Sequence, residues 1–163
     1  MPRLKLQLNL GCGHDFKYEK GWVNMDITRP CNLVADMDAG LPFKDQSLDL
    51  VWAAHVLEHR PDLRKTQREL ARIVKIGGEL NVIVPHYLSP DAWGDPSHCR
   101  AFSEESFFPC FWPGFTILEA ESKSYTKSGT GNKIFWLHVR MKRNSVEMGE
   151  VNQLIGGRHF NKT

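Results

Sequence analysis

The sequence predicts an α/β fold with a mostly parallel sheet, a C-terminal antiparallel hairpin and few helices. Short apolar segments alternate with connectors through the first half of the chain, which is typical of a parallel sheet. Two longer strand candidates follow, and the glycine-rich stretch 128–132 between them favours a hairpin. The length of 163 residues and an apolar fraction of 41% fit one ordinary globular domain.

Each predicted strand is an apolar or alternating run that stops at a turn residue or an acid. Leucines alternate over residues 4–10 and stop at a glycine turn, so this run predicts the first strand. The later strand candidates are 21–26, 32–36, 48–54, 79–84, 115–125 and 133–143. Between the fourth and fifth strands, Asp62 is the predicted N-cap of a helix that ends at Gly77-Gly78.

The features that indicate a ligand all follow the carboxyl ends of predicted strands, where open α/β sheets bind ligands. Gly11-Cys12-Gly13 leaves room for a ligand close to the backbone. A dinucleotide fingerprint needs a third glycine where this chain has Phe16, so the turn favours a nucleoside without a pyrophosphate. Asp26 offers two oxygens to two ribose hydroxyls, and Asp36 is predicted to accept from an adenine amine. A plain turn and two loop acids are the alternative interpretation.

Six segments in a fixed order carry a resemblance to a known family. They are 8–13, 21–26, 36–43, 47–51, 55–59 and 77–80. Together they resemble the class I S-adenosylmethionine-dependent methyltransferases, most closely the small members whose substrates are unassigned. The resemblance implies a Rossmann-like sheet over a single domain, 1–143, followed by a weakly ordered tail, 144–163.

The resemblance also implies S-adenosylmethionine as the cofactor and a set of residues that bind it. The glycine turn would hold the methionine end, Asp26 the ribose, and the third strand end the adenine. The implied cofactor-binding residues are Asn9, Leu10, Gly11, Cys12, Gly13, Asp26, Ile27, Asp36, Met37, Asp38, Ala54, His55 and Glu58. Only eight residues separate Gly13 from Trp22, so we expect a short turn there instead of a crossover helix. The resemblance also implies an N-terminal helix over the cofactor, but the chain starts at the first strand. We therefore expect either an open cleft or one closed by segment 85–114 or by a second subunit of a homodimer.

Segment 85–114 is the predicted substrate segment or lid. It holds five of the nine prolines and seven of the 17 aromatic residues, which suits a stiff wall over an organic substrate. Within it, 95–102 resembles the D-P-x-H-x-R-x-F stretch of the same small methyltransferases. The predicted substrate residues are Asp95, Arg100 and Trp93, and the candidate bases are His98, His86 and His55. The alternative is that these polar groups only fix the loop and that the aromatic residues form a satellite hydrophobic cluster.

The run His55-Val56-Leu57-Glu58-His59 also matches the H-x-x-E-H motif of zinc proteases. Such an enzyme needs the motif on a sustained helix together with a further ligand. Here the motif directly follows a strand, and Pro61 comes two residues after it. We therefore expect no metal site, and a zinc hydrolase is a minor alternative.

The predicted function is S-adenosylmethionine-dependent methyl transfer to an oxygen or nitrogen atom of a small organic or sugar-like acceptor. A non-catalytic cofactor-binding or partner protein is the main alternative, and a NAD-dependent oxidoreductase is a weaker one. Nucleic-acid or protein substrates stay open, because residues 111–163 carry 8 Lys and Arg against 4 Asp and Glu. Amino-methyltransferases of DNA are disfavoured, because 53–56 lack the N/D-P-P-Y/F stretch found there in those enzymes.

The sequence further predicts a cytoplasmic protein without a membrane span. No apolar run approaches the roughly 20 residues needed to cross a bilayer. The first residues enter an alternating segment at once, so we expect no secretory leader. The four cysteines show no paired spacing, which favours reduced thiols.

Overall fold

The computed structural model describes residues 3–129 and 131–145, and these contain seven strands in one sheet. The strands are β1 Gln7–Leu10, β2 Trp22–Asp26, β3 Leu33–Val34, β4 Leu48–Ala54, β5 Val74–Pro85, β6 Phe115–Thr126 and β7 Lys133–Arg143. Their order is β3-β2-β1-β4-β5-β7-β6. The first five are parallel, and β7 runs antiparallel to both β5 and β6. The predicted mostly parallel sheet with a C-terminal antiparallel hairpin is confirmed.

Helices are few, as predicted. The α-helices are α1 Leu63–Ile73 and the short α2 Asp91–Gly94, and single 3-10 turns form at Met37–Ala39, Leu57–His59 and Glu104–Phe107. Asp62 caps α1, because its carboxylate accepts the Lys65 N–H at 2.9 Å. No helix among the described residues is long and apolar enough to cross a membrane. All four cysteines are described, and none is paired.

Several predicted boundaries are wrong: β5 begins at Val74, five residues before the predicted start, and β3 covers only Leu33–Val34. Helix α1 ends at Ile73 and not at 77–78, because Val74 is already extended and pairs with Leu48 of β4. Sheet pairing here overrides the usual role of glycine as a helix stop. At the other end of the chain, β1 begins only at Gln7, and Leu4 is more than half exposed. The tail prediction for 144–163 lies outside the described residues from 146 onward.

One face of the sheet carries the hydrophobic core. Alternate residues of five strands point to it and are almost fully buried: Leu8, Leu10, Met25, Val51, Ala53, Leu80, Val82, Val84, Leu137, Val139 and Met141. Helix α1 adds Leu70 and Ile73 to the same cluster. Phe102, Phe107 and Trp112 join it as well, so three of the seven aromatic residues of segment 85–114 extend the main core, while the other four are exposed.

The opposite face carries a polar row across the same strands. Asn24, Asn9, Trp52, Asn81 and Arg140 are direct neighbours in the registers of β2, β1, β4, β5 and β7. The Lys17 ammonium from the connector between β1 and β2 lies over the Trp52 ring, 5.3 Å from its centroid. This face therefore depends on hydrogen bonds and charge, whereas the core face depends on apolar burial.

Amide side chains hold the connector 14–21, which contains no helix, as predicted. The Asn9 amide nitrogen donates to the Asp15 carbonyl at 2.5 Å and to the Asn24 side-chain oxygen at 2.9 Å. Asn24 in turn accepts the Lys17 N–H and donates to the Lys17 carbonyl, both at 2.9 Å. These bonds fix the short path between two parallel strands that a crossover helix normally joins.

Candidate functional site

The carboxyl ends of β1 to β4 meet around a cavity of about 180 Å³, which we call the cofactor cavity. Six predicted cofactor residues line it: Gly11, Asp26, Ile27, Asp36, Met37 and His55. Five further residues complete the wall: Met25, Ala35, Val56, His59 and Arg60. Met25 and Ala35 come from the ends of β2 and β3, whereas Val56, His59 and Arg60 belong to or flank the 3-10 turn after β4.

Both glycines of the turn have positive φ angles, +61° at Gly11 and +48° at Gly13. A Cβ atom on Gly11 would lie 2.4 Å from Val56 Cγ2, so Gly11 makes room for a side chain of the protein itself. A Cβ atom on Gly13 would meet no atom within 4 Å. Gly13 therefore has open space beside its backbone, but it is exposed and lies outside the cavity wall, whereas Gly11 lines the cavity.

Asp26 is held as a carboxylate beside this turn. Its oxygens accept the Gly13 N–H at 2.9 Å and the Thr28 N–H at 3.1 Å. Burial raises the pKa of Asp26, but these hydrogen bonds outweigh burial, and the net pKa lies below the usual value. A carboxylate has about four lone-pair positions, and the Thr28 hydroxyl takes a third at 3.3 Å. A ribose that bonds through both of its hydroxyls therefore has to displace the Thr28 hydroxyl.

The third strand end presents two acids with different surroundings. Asp36 lines the cofactor cavity and caps the turn Met37–Ala39 by accepting the Asp38 N–H at 2.8 Å. Asp38 is not in the cavity wall and pairs with Arg60 at 3.4 Å. Asp36 therefore borders the space of the cofactor cavity, whereas Asp38 holds Arg60 in the cavity wall.

Several predicted cofactor residues lie behind the cavity instead of in its wall. Asn9 is bonded to the connector, and Leu10 is a core residue. The Cys12 thiol is buried, and burial together with the charge of Asp26 raises its pKa to about 11, so it stays neutral near pH 7. Ala54 and Glu58 are also outside the wall, and the Glu58 side chain is 1% exposed.

His55 lies at the end of β4 and has a φ of +54°, which is uncommon for any residue other than glycine. Its N–H donates to the Ile83 carbonyl at 2.8 Å, which fixes this backbone position beside β5. The side chain is 59% exposed, and its Nδ1 lies 3.3 Å from Glu58 Oε1. Strained residues of this kind cluster at functional sites.

A larger cavity of about 910 Å³ adjoins the same histidine, and we call it the acceptor cavity. Its wall combines aromatic and polar side chains, among them Asp91, Asp95, His98, Tyr125, Phe135 and Trp136. The volume lies in the range of sites for small organic ligands. Sequence reasoning missed the contribution of β7, because only the antiparallel pairing of β5 with β7 brings Phe135 and Trp136 beside Pro85.

The structure separates the residues predicted in segment 85–114. Asp95 and His98 line the acceptor cavity. Trp93 lines a different cavity of about 480 Å³, and its indole N–H donates to the Tyr87 carbonyl. Arg100 donates to the Arg60 and Pro61 carbonyls at 2.7 and 2.9 Å, so it holds its loop to the segment after β4.

His86 does not line the acceptor cavity, and its ring nitrogens are both engaged. Nε2 lies 3.2 Å from Glu104 Oε2, and Nδ1 accepts the Leu88 N–H at 3.2 Å. The ring is buried. A general base needs a nitrogen that reaches the substrate, so the geometry argues against this candidate.

Sequence comparison bears directly on this site. The methyltransferase-domain family matches residues 18–82, which contain β2 to β4, α1 and most of β5. Residues 18–82 are therefore similar to a methyltransferase domain. The family match implies S-adenosylmethionine as the cofactor of this domain. The open space at Gly13 and the ionised Asp26 beside it fit such a ligand.

Relatives of the methyltransferase domain match over short segments. The sterol 4-C-methyltransferase strm-1 of Caenorhabditis elegans is 34% identical over 61 residues, 37% of this chain and 18% of that protein. The uncharacterized methyltransferase YcgJ of Bacillus subtilis is 35% identical over 74 residues, 39% of this chain and 29% of that protein. The matches thus span less than a third of these relatives.

Solved structures match over most of the chain. One belongs to the complex between the Haloferax volcanii methyltransferase activator Trm112 and a methyltransferase. Its TM-score is 0.67 at 19% identity, with 90% of this chain and 85% of that chain covered. The Bacillus subtilis YcgJ structure gives a TM-score of 0.63 at 15% identity, with 88% and 94% covered. At these identities the likeness establishes the fold.

Proposed function

We propose that this protein transfers the methyl group of S-adenosylmethionine to an oxygen or nitrogen atom of a small, polar, sugar-like acceptor. The observation that carries the proposal is the position of His55, which lines both the cofactor cavity and the acceptor cavity. A methyl group and its acceptor must meet where two binding sites adjoin, and His55 marks that place.

The cofactor cavity would hold the nucleoside through Asp26 and Asp36. The Asp26 carboxylate accepts the ribose hydroxyls, and Asp36 accepts from the adenine amine. The methionine end extends past the cavity wall to the exposed backbone at Gly13. When bound, S-adenosylmethionine supplies an electrophilic methyl group on a sulfonium. The protein then has to align the acceptor and exclude water.

The acceptor cavity suits a small molecule with several hydroxyl groups. Phe135 and Trp136 offer apolar surfaces, and the Asp91 and Asp95 carboxylates accept hydrogen bonds from hydroxyls. His55 would take the proton that the acceptor loses, with the Glu58 carboxylate 3.3 Å behind its Nδ1. His98 in the same wall is the second candidate base.

Calorimetric titration with S-adenosylhomocysteine tests the cofactor half of the proposal. We expect binding to the native protein and at least about tenfold weaker binding to Asp26→Ala, because two charge-assisted hydrogen bonds are lost. Asp15→Ala is the control, since this exposed acid does not line the cofactor cavity. Because the pKa of Asp26 is lowered, affinity should stay constant between about pH 5 and 7. No binding to the native protein would contradict the proposal.

Product analysis tests the transfer itself. The native protein is incubated with a metabolite extract and S-adenosylmethionine that carries a deuterated methyl group, and labelled products are sought by mass spectrometry. His55→Asn should form labelled product at least about 100-fold more slowly at saturating S-adenosylmethionine, because Asn tolerates the positive φ but accepts no proton. Saturation separates this loss from any change in cofactor affinity, since His55 also lines the cofactor cavity. Binding without any labelled product from the native protein would favour the non-catalytic alternative.

A further inference from the structure

Three potential metal ligands come together beside His55. One ligand atom each from Glu58, His59 and His98 lies within 4.8 Å of the other two. Glu58 and His59 belong to the 3-10 turn after β4, whereas His98 comes from the loop after α2. The set lies between the two cavities, because His59 lines the cofactor cavity and His98 lines the acceptor cavity.

The Glu58 carboxylate is buried without a hydrogen-bond partner. Its side chain is 1% exposed, and neither oxygen makes a hydrogen bond. His55 Nδ1 lies 3.3 Å from Oε1, but the pair does not reach hydrogen-bond geometry. A buried carboxylate without donors is strongly disfavoured, and a bound cation removes that penalty.

The two histidines are held so that one nitrogen of each is free to bind a metal. His98 Nδ1 lies 3.2 Å from the Ala92 carbonyl, which can only accept, so Nδ1 carries the proton. Nε2 lies 3.8 Å from Asp95 Oδ2, beyond hydrogen-bond distance, and keeps its lone pair. Ser97 Oγ donates to Asp95 at 2.6 Å and therefore accepts from His59 Nδ1 at 3.0 Å. Metal-binding histidines typically donate their other N–H to a carbonyl or a carboxylate network in this way.

Backbone contacts fix the two ligand-bearing segments to each other. The Cys99 N–H donates to the Glu58 carbonyl at 2.7 Å, and Arg100 donates to the carbonyls of Arg60 and Pro61. The neighbouring residue of each ligand is therefore anchored without using the ligand atoms. Such anchoring holds a site in shape before any ion arrives.

We propose that Glu58, His59 and His98 bind one divalent transition-metal ion of the Zn²⁺ type. Two imidazole nitrogens and one carboxylate are a common donor set for such ions, and three protein ligands leave a position open. This revises the expectation of no metal site. The H-x-x-E-H run does not bind through two histidines of one helix; its second histidine and its glutamate are joined by a histidine from another loop.

The coordination position that the three protein ligands leave open would let the ion take part in the methyl transfer. This role rests on the proposed function. The open position lies beside the acceptor cavity, so an acceptor hydroxyl can bind there, and binding to a metal lowers the pKa of that hydroxyl. Metal binding itself needs neither cofactor nor acceptor, so it is measured in their absence.

Titration of metal-stripped protein with Co²⁺ and with Zn²⁺ tests the site. We expect one ion per chain, with visible Co²⁺ absorption typical of four or five nitrogen and oxygen ligands. His98→Ala and Glu58→Gln should each weaken binding by about 10- to 100-fold. His14→Ala is the control, because this exposed histidine is outside the ligand set, and its affinity should not change.

Circular dichroism of each variant shows whether weaker binding reflects lost ligands or lost folding. Glu58→Gln removes a buried charge at nearly constant volume, so it should remain folded, and its weaker binding then reports on the ligand. Unchanged affinity in a folded His98→Ala would overturn the proposal. A thiolate charge-transfer band would also overturn it, because the ion would then be bound by a cysteine. Failure to bind S-adenosylhomocysteine would contradict the proposed function and leave these results standing.

Discussion

The two faces of the sheet are built from the same strands but are stabilised by different forces. On the core face, Leu8, Val51 and Leu80 are neighbours across three strands and are completely buried. One residue further along each strand, the polar face presents Asn9, Trp52 and Asn81. Parallel sheets usually bury both faces under helices. Here a connector tied by amides lies over part of the second face, so substitutions on the two faces should differ in cost.

The largest expected effect is on the core face. Leu80→Ala removes a completely buried side chain and should lower the free energy of unfolding by about 2–5 kcal/mol, because it loses apolar burial and leaves a cavity. The matched variant Glu79→Ala changes the adjacent residue on the other face, where the side chain is 41% exposed and lies 3.6 Å from Arg140. It should cost about 0.5 kcal/mol. Urea unfolding measures both, and equal losses would remove the distinction between the faces.

An intermediate effect is expected in the amide network of the polar face. Asn24→Ala leaves the Lys17 N–H and one Asn9 amide donor without their acceptor, which should cost about 1–3 kcal/mol. The connector 14–21 should also become more sensitive to proteases, because these bonds hold it. The double variant with Asn9→Ala should lose less than the sum of the two single losses, since both act on one network. Strict additivity would show that the two amides act independently.

The smallest effect on stability is expected at the contact between the Lys17 ammonium and the Trp52 ring. Lys17→Met removes the ammonium above Trp52 and the 3.0 Å ion pair with Asp15. Such partly exposed contacts contribute about 0.5–1 kcal/mol, so stability should fall by less than in Asn24→Ala. Tryptophan fluorescence should shift because the surroundings of Trp52 change. Lys44→Met, an exposed lysine in another loop, should alter neither property. If Lys17→Met lowered the free energy of unfolding more than Asn24→Ala does, the ammonium–ring contact would stabilise the polar face more than the amide network.

Much of the fold followed from local patterns. β4 and β7 have their predicted boundaries, and Asp62 caps α1, because apolar runs and cap chemistry act over a few residues. The helix end was wrong because Val74 is drawn into the sheet by β4, a partner that lies far away in sequence. The glycine turn, Asp26 and Asp36 were placed together correctly, because parallel strands end at a common edge.

What the sequence could not provide was the set of partners around each polar group. Arg100 and His86 have residue types suited to a substrate site, but their hydrogen bonds go to Pro61 and Glu104. Glu58 and His98 are distant in sequence, and only the docking of the loop after α2 on the turn after β4 brings them together.

The sequence by itself determined the order of the strands along the chain and the meeting of the glycine turn, Asp26 and Asp36 at one edge of the sheet. These depend on alternation, glycine and terminal acids, which are local properties. The tertiary structure alone decided which face of the sheet is polar, which histidine joins the two cavities and which side chains surround a buried carboxylate. Those outcomes depend on register and on long-range packing, since a shift of one residue in a strand exchanges the two faces.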